Sequence, residues 1–216
     1  MVALAPTPRD TLLSEGTAAL YRFRSPDGAG PAPGRAPVLL VPSLINRWYV
    51  LDLRRGASLA RALVDAGFDV YCLDWGVPEA EDRYLDWDAV VGRVGRMVRR
   101  VRREARADRV GLLGYCIGGT LSAIHTALEP DSVGGLVNLA GPIDFSEGGM
   151  LAHMVNPKWF DPQVMADAGN IGAQQMQSGF TSLRPTAQLG KWLSFFDRLG
   201  DEQRMEAFEG LEERAS

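Results

Sequence analysis

The sequence predicts an α/β fold: a mostly parallel sheet covered by helices on both faces. Two observations predict it. Short apolar runs alternate with segments of helical period between Val38 and Leu139. One strand-to-helix junction, at 114–118, also reads Gly-Tyr-Cys-Ile-Gly, a spacing suited to a sharp turn with an exposed apex.

Residues 1–36 read as an N-terminal extension and linker. Within them Ala18–Arg24 (AALYRFR) predicts a short strand, and Ser25–Pro37 (SPDGAGPAPGRAP) is a Pro/Gly-rich connection with little to bury. The core occupies 37–141. Val38–Val41 suits a buried strand, and Ala57–Ala66 (ASLARALVDA) has helical spacing and stops at Gly67. Asp69–Leu73 (DVYCL) reads as the next strand. Asp86–Arg106 predicts a long helix, because Val90, Val94, Met97, Val98 and Val101 recur three and four apart on one face. Arg109–Leu113 is a strand, Ile117–Leu128 a helix, and Ser132–Leu139 (SVGGLVNL) a further strand.

Residues 142–216 break this rhythm. Pro142, Pro157, Pro162 and Pro185 divide a stretch rich in Met, Gln, Phe and Trp, which predicts several short helices. The plain reading is an irregular helical region that closes the fold. The functional one is a helical cap or lid over the strand ends, favoured by its place directly after a core strand.

Bulk properties limit the function classes. With 216 residues and 46% hydrophobic content, one domain with a sizeable core is expected. A formal charge of -4 offers no excess of cations for nucleic acid. The two cysteines, Cys72 and Cys116, cannot build a disulfide framework, and no metal-ligand spacing occurs, so no metal is expected. Neither a signal peptide nor an apolar run of about 18 residues is present, which points to the cytosol without transmembrane contact.

The chemical signal is Val110–Gly119, VGLLGYCIGG. A buried strand drives at the sheet edge, the chain reverses into a helix, and Cys116 stands at the apex. Small residues at Gly114, Gly118 and Gly119 allow strand and helix to approach closely. This is the nucleophile elbow of an α/β-hydrolase fold, with cysteine as nucleophile. The backbone N–H of Ile117 is placed to steady an oxyanion, and the helix start favours thiolate at Cys116. Leu44, after the first core strand, lies where this fold draws its second oxyanion N–H. The alternative is a structural thiol in a glycine-rich turn. Cys72, inside an apolar strand pattern, reads as core.

Several segments resemble one family. Pro42-Ser43-Leu44-Ile45-Asn46-Arg47 with Tyr49-Val50-Leu51-Asp52-Leu53 is similar to the opening of polyhydroxyalkanoate synthases. So are Asp69-Val70-Tyr71, Leu73-Asp74-Trp75-Gly76 and Gly114-Tyr115-Cys116-Ile117-Gly118-Gly119-Thr120, the cysteine form of the lipase box. Pro142-Ile143-Asp144-Phe145 and Gly169-Asn170-Ile171 follow in family order. The resemblance implies an α/β-hydrolase core with a mobile cap. It implies transfer of (R)-3-hydroxyacyl groups from coenzyme A thioesters, through a Cys116 acyl-enzyme, to a growing polyester. Coenzyme A is then part of the substrate, and no cofactor is expected. Acyl-CoA and polyester would be the ligands, with a second synthase subunit or a separate C-terminal fragment as partner and the storage-granule surface as a location. The alternatives are a thioesterase or esterase on the same elbow, and an accessory subunit without catalysis.

The resemblance also implies an aspartate and a histidine from later loops. Family members continue beyond Leu211-Glu212 with a tryptophan, an acidic stretch and the final strands, so a truncated or split chain that is nearly inactive alone is expected. His125 and His153 are the two histidines. His125 falls in the helix leading away from Cys116, nine residues on, about 13 Å along the axis. His153 falls in the cap and Asp144 after a core strand; they are the remaining base and acid candidates. The arginines from Arg93 to Arg109 read as a solvated helix face, with docking of coenzyme A phosphates as the alternative. Trp159, Phe160, Phe180, Trp192, Phe195 and Phe196 read as cap packing or the lining of an acyl channel.

Overall fold

The computed structural model describes residues 4–146, 148, 153, 155–167, 169–172, 174–176 and 178–179. The chain forms two compact units, Met1–Ile143 and Asp144–Ser216. In the first unit the strands are β1 (Arg9–Glu15), β2 (Ala18–Phe23), β3 (Val38–Val41), β4 (Asp52–Arg54), β5 (Ala57–Ser58), β6 (Val70–Asp74), β7 (Val110–Tyr115) and β8 (Val133–Leu139). Its α-helices are α1 (Leu59–Asp65), α2 (Trp87–Ala105) and α3 (Ile117–Leu128). Short 3-10 turns cover Trp48–Leu51, Ala80–Tyr84 and Pro130–Ser132.

Among the described residues the main sheet runs β1-β2-β6-β3-β7-β8. The pairs β6–β3, β3–β7 and β7–β8 are parallel, while β1–β2 and β2–β6 are antiparallel. β1 is an element the sequence reading lacks. Its hydrophobic period is broken because the register with β2 shifts between Thr11 and Leu13, so Leu12 and Leu13 stand adjacent instead of alternating. The helix expected from Ala57 begins instead at Leu59. Ala57–Ser58 pairs with β4, and the Ser58 hydroxyl caps α1 by accepting from the Arg61 N–H at 2.9 Å.

Strand alternation sorts side chains into two cores. Leu39, Val41, Tyr71, Leu73 and Leu112 pack with Val94, Met97, Val98 and Val101 of α2 and Leu121 of α3. Leu40, Val70, Cys72 and Leu113 face the other way, against Trp48, Leu51 and Ala60. Each of these aliphatic side chains contributes about 1.5–3 kcal/mol by leaving water. The valine stripe read from the sequence is therefore the buried face of α2. Asp86 starts that helix by accepting from the Ala89 N–H at 2.7 Å, and Arg106 ends it in the left-handed region at φ 50°. β8 is the edge strand of the sheet among the described residues, and its Leu136, Val137 and Leu139 are 37%, 55% and 43% exposed.

In the second unit, α4 (Pro162–Asp167) follows Asp161, whose carboxylate accepts from the Gln163 N–H at 2.9 Å. Residues 174–176 and 178–179 are also helical. Trp159 is exposed there, and its indole N–H donates to the His153 carbonyl at 3.0 Å. Phe180, Pro185, Trp192, Phe195 and Phe196 lie outside the described residues. Among the described residues no helix is long and apolar enough to cross a membrane.

Candidate active site

β7 ends at Tyr115 and α3 begins at Ile117, so the chain reverses at Cys116 alone. Cys116 sits at φ 54°, ψ −131°. This is a region that side chains avoid, at a strain of about 1–3 kcal/mol. Two backbone bonds hold it there. The Cys116 N–H donates to the Leu139 carbonyl at 2.9 Å, and its own carbonyl accepts from the Gly119 N–H at 2.7 Å.

The glycines read from the sequence are geometric requirements of this turn. A Cβ on Gly114 would overlap the Gly118 carbonyl and the Gly119 backbone, and one on Gly118 would overlap the Val41 and Pro42 carbonyls. One on Gly119 would overlap the Asn138 side-chain oxygen. The elbow is thus pressed between the ends of β3 and β8.

Each neighbouring strand exit is tied in turn. After β3, Pro42 and Ser43 are buried and the Ser43 hydroxyl accepts from the Ile45 N–H at 3.1 Å. The Trp75 indole N–H, from the end of β6, donates to the Pro42 carbonyl at 2.9 Å. Asp74, 6% exposed, accepts from the Gly76 N–H at 2.9 Å and the Tyr21 hydroxyl at 3.0 Å, and faces Arg47 at 3.9 Å. Burial first, then the Asp74 carboxylate, raises the pKa of Tyr21, which keeps it a donor. After β8, the Asn138 amide closes a turn by exchanging hydrogen bonds with the Gly141 backbone at 2.8 and 3.0 Å. Thr120 of α3 donates to the Pro142 carbonyl at 2.6 Å.

Cys116 is partly exposed, whereas Cys72 is fully buried in the second core. Burial pushes the Cys72 thiol well above its ordinary range, so it is chemically quiet. As the first residue of α3, Ile117 carries an N–H with no acceptor inside the helix. Leu44 lies two residues beyond Pro42 and is 42% exposed. The structure therefore brings Cys116, Ile117, Gly114, Gly118 and Gly119 to one turn and sets the Leu44 loop on the adjoining strand.

His125 belongs to the first unit, on α3. His125 is 2% exposed, its Nε2 is 3.3 Å from the Ser132 hydroxyl, and burial lowers its pKa. Asp144 and His153 fall in the second unit. Asp144 accepts from the Ser146 N–H and hydroxyl at 2.9 and 2.6 Å, bonds that lower its pKa. His153 lies against Trp159, ring centroids 4.9 Å apart. Neither Trp75 nor Asn138 is marked by its local sequence as a support of the elbow. A polar side chain within the apolar run VGGLVNL was the one available sign of Asn138.

The alpha/beta hydrolase fold family model matches residues 36–208. The Poly(3-hydroxyalkanoate) polymerase subunit PhaC of Synechocystis sp. is 36% identical over 215 residues, 95% of this chain and 56% of the relative. That of Allochromatium vinosum is 35% identical over 209 residues, 95% of this chain and 58% of the relative. The chain thus spans little more than half the length of these curated relatives. Brefeldin A esterase, a bacterial enzyme of solved structure, is 20% identical at TM-score 0.49, over 70% of this chain and 44% of its own.

Proposed function

The chain belongs to the alpha/beta hydrolase fold family, and from that premise we propose that it is the nucleophile-bearing part of a polyester synthase that carries acyl groups on Cys116. The observation that supports this reading is the strained, partly exposed Cys116 at the junction of β7 and α3. Its similarity along 95% of the chain to poly(3-hydroxyalkanoate) polymerase subunits supports the substrate class.

The chemistry follows from the thiol. The Cys116 thiolate attacks the carbonyl of a hydroxyacyl-CoA thioester, the carbon–sulfur bond to coenzyme A breaks, and coenzyme A leaves as its thiolate. The acyl group is then a thioester of Cys116, still activated for transfer. The hydroxyl of the growing chain attacks that carbonyl, an ester bond forms, and the hydroxyl proton returns to the Cys116 sulfur. Each tetrahedral intermediate carries an oxyanion. The Ile117 N–H at the helix start and an N–H of the Leu44 loop are the donors assigned to it.

Within the first unit, His125 is no base for this thiol, because it is buried against Ser132 about 13 Å along α3 from the elbow. Slow acylation needs no such base, since cysteine has some thiolate near neutral pH. Repeated transfer also needs the hydroxyl deprotonated. The test is incubation with (R)-3-hydroxybutyryl-CoA, followed by mass analysis of peptides and products. An acyl adduct on the Cys116 peptide, absent from Cys116→Ala, is the expected result. An adduct that turns over to oligoester supports the synthase, and free hydroxy acid alone would replace it with a thioesterase. No adduct at Cys116 under conditions where the folded protein is alkylated there would overturn the reading.

A further inference from the structure

A groove of about 540 Å³ opens between β1, which contributes Leu13 and Glu15, and the outer face of α2. The helix supplies it with Arg96, Arg99, Arg100, Arg102 and Arg103. Arg96, Arg99, Arg100 and Arg103 follow the i, i+3, i+4, i+7 spacing of a single helix face. Like charges at that spacing repel one another, so the stripe opposes the helix that carries it unless anions answer it. The chain as a whole is acidic, with a net charge of -4, which makes this cationic stripe a local exception.

The carboxylates nearby answer it in part. Arg96 is matched by Glu15 at 2.6 Å, Arg99 by Glu129 at 3.2 Å and Arg100 by Glu104 at 3.2 Å. Among the described residues Arg102 and Arg103 have no carboxylate partner. The Nε–H groups of Arg100 and Arg102 are buried and donate to nothing among the described residues. Buried donors without acceptors are costly, and guanidinium groups are matched best by planar or tetrahedral oxyanions that take two N–H bonds at once. The groove walls add an apolar side through Leu13 and Ala107.

This place is not the elbow. α2 starts at Trp87, after the exit of β6 where Trp75 braces the elbow, and runs toward Val110, where β7 enters the sheet. Arg102 stands fifteen residues from Trp87, about 22 Å along the helix. A ligand held by Arg102 and Arg103 is therefore remote from Cys116.

We propose that the groove between β1 and the arginine stripe of α2 binds a small organic diphosphate, two phosphoryl groups lying along the Arg100–Arg102–Arg103 end and an apolar body against Leu13 and Ala107. The full chain is titrated calorimetrically with ADP and, separately, with inorganic pyrophosphate. The proteins compared are wild type, the double variant Arg102→Gln/Arg103→Gln and the control Arg109→Gln. Arg109 is exposed and cationic but does not line the groove. Thermal melts verify that the variants remain folded. Saturable one-to-one binding is expected, weakened at least tenfold in the double variant and unchanged in the control. Binding of ADP but not pyrophosphate assigns a nucleoside-bearing ligand, and binding of both assigns the diphosphate itself as sufficient. No saturable binding of either probe, or equal affinity in wild type and double variant, overturns the proposal. Acyl transfer plays no part in this measurement, so its failure leaves the Cys116 reading intact.

Discussion

Replacing Cys116 by glycine stabilises the fold, and replacing it by alanine does not. The residue is held at φ 54°, ψ −131°, outside the regions that any side chain with a Cβ favours. That conformation costs about 1–3 kcal/mol for a non-glycine residue. Glycine removes the cost but gives up conformational entropy in the unfolded chain, worth about 0.5–1 kcal/mol. The difference leaves Cys116→Gly up to about 2.5 kcal/mol more stable than Cys116→Ala. Alanine keeps the Cβ and so keeps the strain. Loss of the sulfur weighs equally on both variants, since the side chain is only partly buried and makes no hydrogen bond as helix cap.

The measurement is equilibrium urea unfolding of the three proteins, with m-values compared to ensure that the same transition is observed. The expected order has Cys116→Gly highest. An alanine variant as stable as the glycine variant would refute the claim that strain is stored at the apex. The elbow would then be an ordinary turn, and the argument for a nucleophile from backbone geometry would lose its basis.

Other consequences are separately testable. Cys116 should be alkylated by iodoacetamide in the folded protein while fully buried Cys72 is spared, as peptide mass spectrometry would reveal; preferential labelling of Cys72 would contradict the burial pattern. Trp75→Phe keeps the ring but loses the bond to the Pro42 carbonyl, about 0.5–1.5 kcal/mol. A fall of up to about tenfold in the rate of Cys116 acylation, at unchanged substrate affinity, is expected if that bond sets the β3 exit loop. Asp52→Ala removes the acceptor for the Thr7 N–H and hydroxyl and for the Ser58 hydroxyl, and should destabilise by about 3–5 kcal/mol in urea unfolding. His125 has a folded pKa below its ordinary 6.5, so the unfolded chain binds the extra proton first. Its contribution is complete above pH 6.5 and is lost as pH falls below it, a dependence that His125→Gln should flatten in unfolding curves taken between pH 8 and 5.5.

The parts of the fold legible in the sequence are those with an undisturbed period. The valine stripe of α2 and the apolar runs of β3, β6 and β7 carry their burial in their spacing. β1 was illegible because its register shift sets Leu12 beside Leu13, and β5 because two residues cannot display a period. β8 was legible as a strand but not in its surroundings: Val137 is 55% exposed at the edge of the described sheet, since hydropathy reports what a strand prefers and not what covers it. In the site, Cys116 and its glycines were legible because a turn this tight restricts residue type. Trp75 acts through one hydrogen bond to the Pro42 carbonyl, 33 residues away, which nothing in its own neighbourhood announces. Asn138 closes a local turn with Gly141, but its packing against Gly119 is set by the fold and not by its neighbours in sequence.

That contrast also explains how an isolated strained residue is maintained. Cys116 cannot relax by sliding, because its N–H is tied to the end of β8 and its carbonyl to the first turn of α3. Nor can the elbow move as a body. Gly118 lies against the Val41 and Pro42 carbonyls, and Pro42 is fixed from its other side by the Trp75 indole. Asn138 and Thr120 hold the β8 exit against Gly119 and α3. Three parallel strands therefore converge on one residue, and the stability of the sheet supports its strain. The thiol gains an apex position with α3 starting immediately after it. An exposed thiol on a relaxed loop would share none of these constraints, and neither its glycines nor its neighbours would be intolerant of a single added carbon.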